Sequence, residues 1–191
     1  RDLNRLLEKI ILAAKSITRA DGGTLYLLSE DKRSLHFEIV STDSLKIAFG
    51  GTSGNPVSGI FPDLPLYRDD GSPNDTMIAA YAAISGETVN IADAYVAKGF
   101  DFSGTRKFDE RTGYRSQSFL AVPMRDHEGE IIGVLQLINA SMPTHNVVVP
   151  FSEADQRLAE SLASQAAVAL TNRQLVRQME ELFESFIQLI N

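Results

Sequence analysis

Cysteine is absent from the 191 residues. That removes disulfides, thiolate metal sites, iron–sulfur clusters and thiol nucleophiles together. It fits a reducing, cytoplasmic setting, which is the localisation expected here. Positive charge is also scarce: 18 Lys and Arg against 25 Asp and Glu leave a net −7 at pH 7. Nucleic acid and anionic lipid are therefore poor main partners. No apolar run approaches the roughly 20 residues of a membrane span, and no signal peptide is visible. Histidine occurs only at His36, His127 and His145, without metal-ligand spacing. The Gly50–Gly54 loop lacks the Gly-Lys-Ser/Thr ending of a P-loop. Asp69-Asp70 and Asp109-Glu110 are acidic neighbours in sequence, which seldom converge on one bond as acid and base. No Ser/His/Asp order stands out, so no catalytic residue, no metal and no certain cofactor is assigned. There are no internal repeats and no low-complexity segments.

The chain has enough length for one domain with a sizeable core. Its 43% hydrophobic and 23% charged content is ordinary for a globular protein. The stretch from Gly99 to Asn139 organises the rest. Ser118–Met124 (SFLAVPM) reads as a strand, Asp126–Gly129 as a turn, and Ile131–Ile138 (IIGVLQLI) as the returning strand. Two apolar β-rich runs joined by a short polar loop make a hairpin. Gly99–Arg115 is polar, charged and Gly-bearing, so it should be a loop with a short helix laid over that hairpin. A polar cover on an apolar hairpin is a reasonable place for a ligand pocket.

Apolar residues from Leu3 to Ile17 recur at helical spacing, with a break expected at Asp21-Gly22-Gly23. Thr24–Ser29 and Leu35–Ser41 flank a polar turn and read as a first hairpin. Lys46–Phe49 and Leu64–Tyr67 are short strand candidates, the second an edge because Pro65 cannot donate to a ladder. Asp75–Ser85 is an Ala-rich helix, with Asn74 or Asp75 as N-cap and Gly86 as stop. Thr88–Ile91 is a short strand, and Ala140–Val149 reads as a linker. Ser152 caps a long helix that runs to Ile190, about 57 Å at 1.5 Å per residue. Leu158, Leu162, Gln165, Ala169, Asn172, Val176, Met179, Phe183, Phe186 and Ile190 form a heptad seam along it. Ala159, Ala163 and Ala166 lie on an adjacent face, suited to close packing on the sheet. The far end of the seam outruns a globular body, so a homodimer through the terminal helices is expected. The chain begins without Met inside one helical pattern and stops inside another. The expectation is a segment of a longer protein, with residues 1–175 as the domain and 176–191 as a helix leading to an output domain in cis.

The pattern from Thr112 to Asn139, TGY-R-S-x-S-x-L-x-VPM-x-x-x-x-G-x-x-IGVLQLIN, resembles a GAF domain, the small-molecule sensor module of signalling proteins. VNIADAY (Val89–Tyr95) and RKFDE (Arg106–Glu110) are similar to the subset found in cyclic-nucleotide phosphodiesterases. The resemblance spans Leu3 to Arg177. The last turns, Leu182–Asn191, resemble the entry segment of HD-type (HD-GYP) cyclic-dinucleotide phosphodiesterases, in which GGTSGNP-like and FDFSGTRKFDERTGYRSQSFL-like strings also occur. The resemblance implies an α+β fold: a mostly antiparallel sheet, the terminal helices packed on one face, and a pocket under loops on the other. Covalent bilin attachment and methionine-sulfoxide reduction, two specialities of the family, both use Cys and are excluded.

The resemblance also implies ligand contacts. Ile78 and Ala79 match backbone and apolar contacts at a helix start, where N–H groups would face a phosphate. Thr112 and Ser116 match ligand-facing hydroxyls, and Gln136 a polar ligand-facing position. Thr105 stands where other members use an aromatic. Asp109 is read as lining the pocket, with neighbouring charges locking a lid. The family's spaced Asn-Lys-Phe-Asp-Glu signature is not compact here: Arg106 precedes Lys107 where Asn would stand, and Asn90 is well upstream. The bland alternatives are a surface ion-pair cluster pinning a loop and locally satisfied hydroxyls at Thr112 and Ser116. The implied function is a regulatory sensor of a bacterial-type signalling protein, with a cyclic nucleotide as candidate ligand and a C-terminal HD-type phosphohydrolase as output. The alternative is a ligand-free dimerisation module with a vestigial pocket; an enzyme reading of the fragment comes third.

Overall fold

A computed structural model describes residues 2–190. Helix α1 (Asp2–Thr18) leads into the β1–β2 hairpin (Ala20–Leu28, Ser34–Thr42) and two short strands, β3 (Ile47–Gly50) and β4 (Leu64–Pro65). Helix α2 (Ile78–Ser85), strand β5 (Val89–Ile91) and helix α3 (Ser103–Thr112) follow. Strands β6 (Phe119–Arg125) and β7 (Ile131–Ser141) form the second hairpin, before β8 (Val148–Val149) and helix α4 (Glu153–Ile190). The sheet runs β3-β2-β1-β7-β6-β5, with β4 on β2 and β8 on β7. Every pairing is antiparallel. The fold is α+β, as expected.

Strand alternation divides the interior in two. Leu25, Leu120, Val122, Leu135 and Leu137 face one side, where Leu7, Ile11 and Ala14 of α1 and Ala159, Ala163 and Ala166 of α4 bury them. The alanine face of α4 thus lies on the sheet, where only methyl groups allow the helix so close. Tyr26, Phe119, Ala121 and Val134 face the other side, under α2 and the segment before α3. Five of the eight residues of α2 are buried, which is why it reads as Ala-rich rather than amphipathic.

Three local expectations change. The chain does not break at Gly22-Gly23; Arg19 makes the turn at φ 58° and β1 begins at Ala20. The glycines stay in the strand because a Cβ on Gly23 would sit 3.2 Å from the Lys15 side chain, and one on Gly22 would sit 3.3 Å from Thr42 Oγ1. Helix α2 starts three residues later than read. Asn74 donates its amide to Pro65 O at 2.8 Å, and Asp75 lies 3.6 Å from Arg68. Both proposed caps are thus spent on the preceding loop, and α2 opens at Met77 without a side-chain cap. Residues 140–149 are not simply a linker, since β7 reaches Ser141 and β8 returns along it. Helix α4 is capped as expected, with Asp155 N–H donating to Ser152 Oγ at 3.1 Å, and its last buried residue is Leu170.

Candidate functional site

On the second face, α2, the segment before α3 and the sheet enclose a cavity of about 110 Å³. The sheet supplies its floor with Tyr26, Phe119 and Gln136; Met77, Ile78 and Ala79 come from the start of α2, and Asp101, Phe102 and Thr105 from the segment entering α3. Four predicted residues, Ile78, Ala79, Thr105 and Gln136, therefore converge here. The register explains Gln136: it pairs with Thr24 on one side and Ala121 on the other, and alternation turns all three away from α1 and α4.

Asp109, Thr112 and Ser116 are not among the residues lining that cavity. Asp109 and Thr112 belong to α3 and Ser116 to the segment after it, and their bonds hold the helix in place. The Asp109 carboxylate, 5% exposed, accepts the Ser116 N–H and hydroxyl, each at 2.8 Å, and the Tyr95 hydroxyl. That bond to Asp109, with burial second, raises the Tyr95 hydroxyl above its ordinary pKa. The Tyr95 ring lies 3.9 Å from the Arg115 guanidinium carbon and 5.6 Å from that of Arg106. Thr112 Oγ1 donates to Phe108 O at 2.7 Å, the back-bond of a helix C-terminus. Gly113 then closes α3 at φ 75°. Lys107 and Glu110 are exposed, and among the described residues the Arg106–Glu110 cluster forms no ion pair.

Other residues of this region were not singled out from sequence. Asn139, at φ 60°, accepts from Gln117 N–H and Ser118 N–H and donates to Arg115 O at 2.8 Å. It ties the exit of α3 to the end of β7. Tyr26 and Phe102 line the cavity itself. The signal for Tyr26 was present, a polar-tipped aromatic in an otherwise aliphatic strand; nothing local marked Phe102 as different from Phe100.

The electrostatics of the cavity are mildly acidic. Hydrogen bonds from Ser103 hold the Asp101 carboxyl below its usual pKa, and Asp101 is the one charged residue in the lining. Burial pushes the Tyr26 hydroxyl well up. A larger cleft, about 650 Å³, opens at the other end of the sheet between the last turns of α1 and the Gly113–Arg115 segment. Lys15 lines it, 3% exposed and held 2.7 Å from both Asp43 and Ser41. None of the predicted site residues reaches it. Among the described residues no three His, Asp or Glu side chains gather as metal ligands, and no helix is long and apolar enough to cross a membrane.

A sequence profile of the GAF domain matches residues 2–170. The dual 3',5'-cyclic-AMP and -GMP phosphodiesterase 11A of Takifugu rubripes is 38% identical over 98 residues, 51% of this chain and 10% of that protein. The dual 3',5'-cyclic-AMP and -GMP phosphodiesterase 11 of Drosophila melanogaster is 36% identical over 105 residues, 55% of this chain and 7% of that protein. The chain thus spans about a tenth or less of the curated relatives it matches. Among solved structures, the GAF domain of an Acinetobacter phosphoenolpyruvate-protein phosphotransferase superposes with a TM-score of 0.60 at 18% identity, covering 92% of this chain and 94% of that one. A GAF domain/HD domain protein from Geobacter sulfurreducens gives 0.60 at 16% identity, covering 91% and 95%. On the profile match, the sheet order and the two-sided helix packing, this chain belongs to the GAF domain family.

Proposed function

We propose that this GAF domain is a regulatory sensor that binds a cyclic nucleotide and passes its state along α4 to an output domain in cis, in a cytoplasmic signalling protein. The observation that carries the reading is the convergence of Ile78, Ala79, Thr105 and Gln136 on one cavity beside an uncapped helix start. Free N–H groups there suit a phosphate. Asp109, Thr112 and Ser116 act on the ligand through the lid: they fix α3, and α3 carries Thr105. The names of the phosphodiesterase relatives support the ligand class, and the HD-domain neighbour supports a C-terminal HD-type phosphohydrolase as output. Residues 1–175 form the sensor and 176–191 the signalling helix, whose last residue, Asn191, lies outside the described residues. Two copies pair through the terminal helices.

A cavity of 110 Å³ is smaller than the roughly 300–1,000 Å³ of most ligand pockets. A nucleotide therefore enters only when the segment around Phe102 moves. The same closure favours the second reading, a dimerisation module with a vestigial pocket. Calorimetric titration with cyclic GMP and cyclic AMP decides between them: micromolar binding supports the sensor, and no heat with either leaves the dimerisation module. The fragment itself should not hydrolyse these nucleotides. Metal-dependent turnover lost on changing His36, His127 or His145 would overturn that.

A further inference from the structure

We propose that the cleft at the far end of the sheet, between the last turns of α1 and the exit of α3, is a second ligand site, and that it takes a small organic oxyanion, a carboxylate or a phosphate ester. The proposal does not depend on the cyclic-nucleotide reading, since none of the residues implied for that ligand reaches this cleft. Its volume of about 650 Å³ lies within the ordinary range of ligand pockets. Its floor is a buried cation. The Lys15 side chain is 3% exposed, while that of its partner Asp43 stays 67% exposed. Burying an ammonium costs more than a pair with a solvated carboxylate returns. The sheet nevertheless makes room for it: a Cβ on Gly23 would sit 3.2 Å from the Lys15 stem. Packing of α1 on the sheet is already served by Ile11 and Ala14. Asp43 and Ser41 accept two of the three N–H groups of Lys15. The third has no partner among the described residues.

Arg19 brings the second charge. It makes the turn out of α1 at φ 58°, a conformation that glycine or asparagine holds at less cost. The side chain accounts for an arginine there: it lines the cleft and enters no ion pair among the described residues. Asn139 and Asn146 line the same cleft at φ 60° and 53°, so three of the five non-glycine residues at positive φ meet here. Such backbone outliers gather at binding sites. The acids of the lining are already engaged. Asp43 holds Lys15, and Asp21 accepts from the Ser44 N–H at 3.0 Å and the Tyr114 hydroxyl at 2.7 Å. Arg115 lies over the Tyr95 ring. What remains without a partner is positively charged donors, so the ligand is a negatively charged acceptor. Leu12 and Val148 on the wall suit a short carbon skeleton. An occupant bridges α1 to the segment leaving α3, beside the Tyr114–Asp21 bond.

The test is calorimetry on the 191-residue chain with valerate, glycerol phosphate and uncharged valeramide, on the parent and on Lys15→Met and Arg19→Gly. Each apo protein is also melted. Valerate or glycerol phosphate should bind the parent with a Kd of about 1 mM or less, and valeramide should not bind. Either head group supports the site, and the tighter of the two names its source. Both variants should bind that probe about tenfold or more weakly. Arg19→Gly should melt no lower than the parent, because glycine suits the turn, and it decides the matter alone if Lys15→Met does not fold. No binding of either anion overturns the proposal, and so does valeramide binding as tightly as valerate. Parent-like affinity in Arg19→Gly also overturns it, since the anion is then held elsewhere. None of these outcomes bears on cyclic-nucleotide binding at the other cavity.

Discussion

Three donors converge on Asp109, and its replacement leaves all of them short of an acceptor behind the lid. Asp109→Ala should destabilise the apo domain by about 2 kcal/mol, on the order of 4–8 °C in melting temperature. Thr112→Ala removes a back-bond and one long 3.3 Å bond from the Tyr114 N–H at an exposed helix end, so its melting should stay within about 1–2 °C of the parent. The same melts with the two changes reversed in rank would contradict this division of roles. Tyr26 sets an alkaline limit. Burial raises its folded-state pKa, so the folded chain keeps a proton that the unfolded chain gives up near pH 10. That contribution is fully present below pH 10 and is lost as pH rises further, at about 1.4 kcal/mol per pH unit. Tyr114, half-buried and bonded to Asp21 (2.7 Å), is raised for the same first reason and adds to the slope. The unfolding free energy, read from urea denaturation between pH 10 and 11, should therefore fall less steeply for Tyr26→Phe than for the parent.

Elements whose pattern is carried by their own side chains are legible in the sequence. The β6–β7 hairpin, the Ser152 cap and the alanine face of α4 belong to this group. Elements decided by a distant partner are not. Asn74 and Asp75 look like caps until Pro65 and Arg68 are seen to claim them, and Gly22-Gly23 looks like a break until Lys15 and Thr42 press on it. At the site, the resemblance named Gln136, and alternation along β7 turns it to the cavity face, because period two is local. Asp109 and Ser116 could not be separated from the cavity lining in the same way. Which side of a ten-residue helix they serve depends on Tyr95, a loop away. One element-scale prediction follows from α4. Ala163 is 1% exposed against the sheet, so Ala163→Leu overpacks that face and should cost about 1–3 kcal/mol, measured by urea unfolding. Val168, half exposed on the same helix, should accept Leu with little change.

For the whole molecule, the feature with most reach is the part of α4 beyond Leu170. Its twenty residues to Ile190 extend about 30 Å and carry Met179, Phe183, Phe186 and Ile187, each more than half exposed. A stripe of that kind needs a partner helix. Sedimentation of the parent should give a dimer at micromolar concentration, and Phe183→Glu with Phe186→Glu should give a monomer whose core melts as before. A monomeric parent with an intact helix would refute the seam. The sheet, by contrast, is closed to such pairing at its rims. Strand β3 has four residues and β5 three; β5 reaches only as far as Ala121, and the uncovered part of β6 beyond it contains Pro123. Proline brings no N–H to a would-be neighbour strand, and short rims template poorly. With rims this short and proline-blocked, the domain can be concentrated, or fused at its C-terminus to another protein, without the sheet seeding fibrils or precipitates.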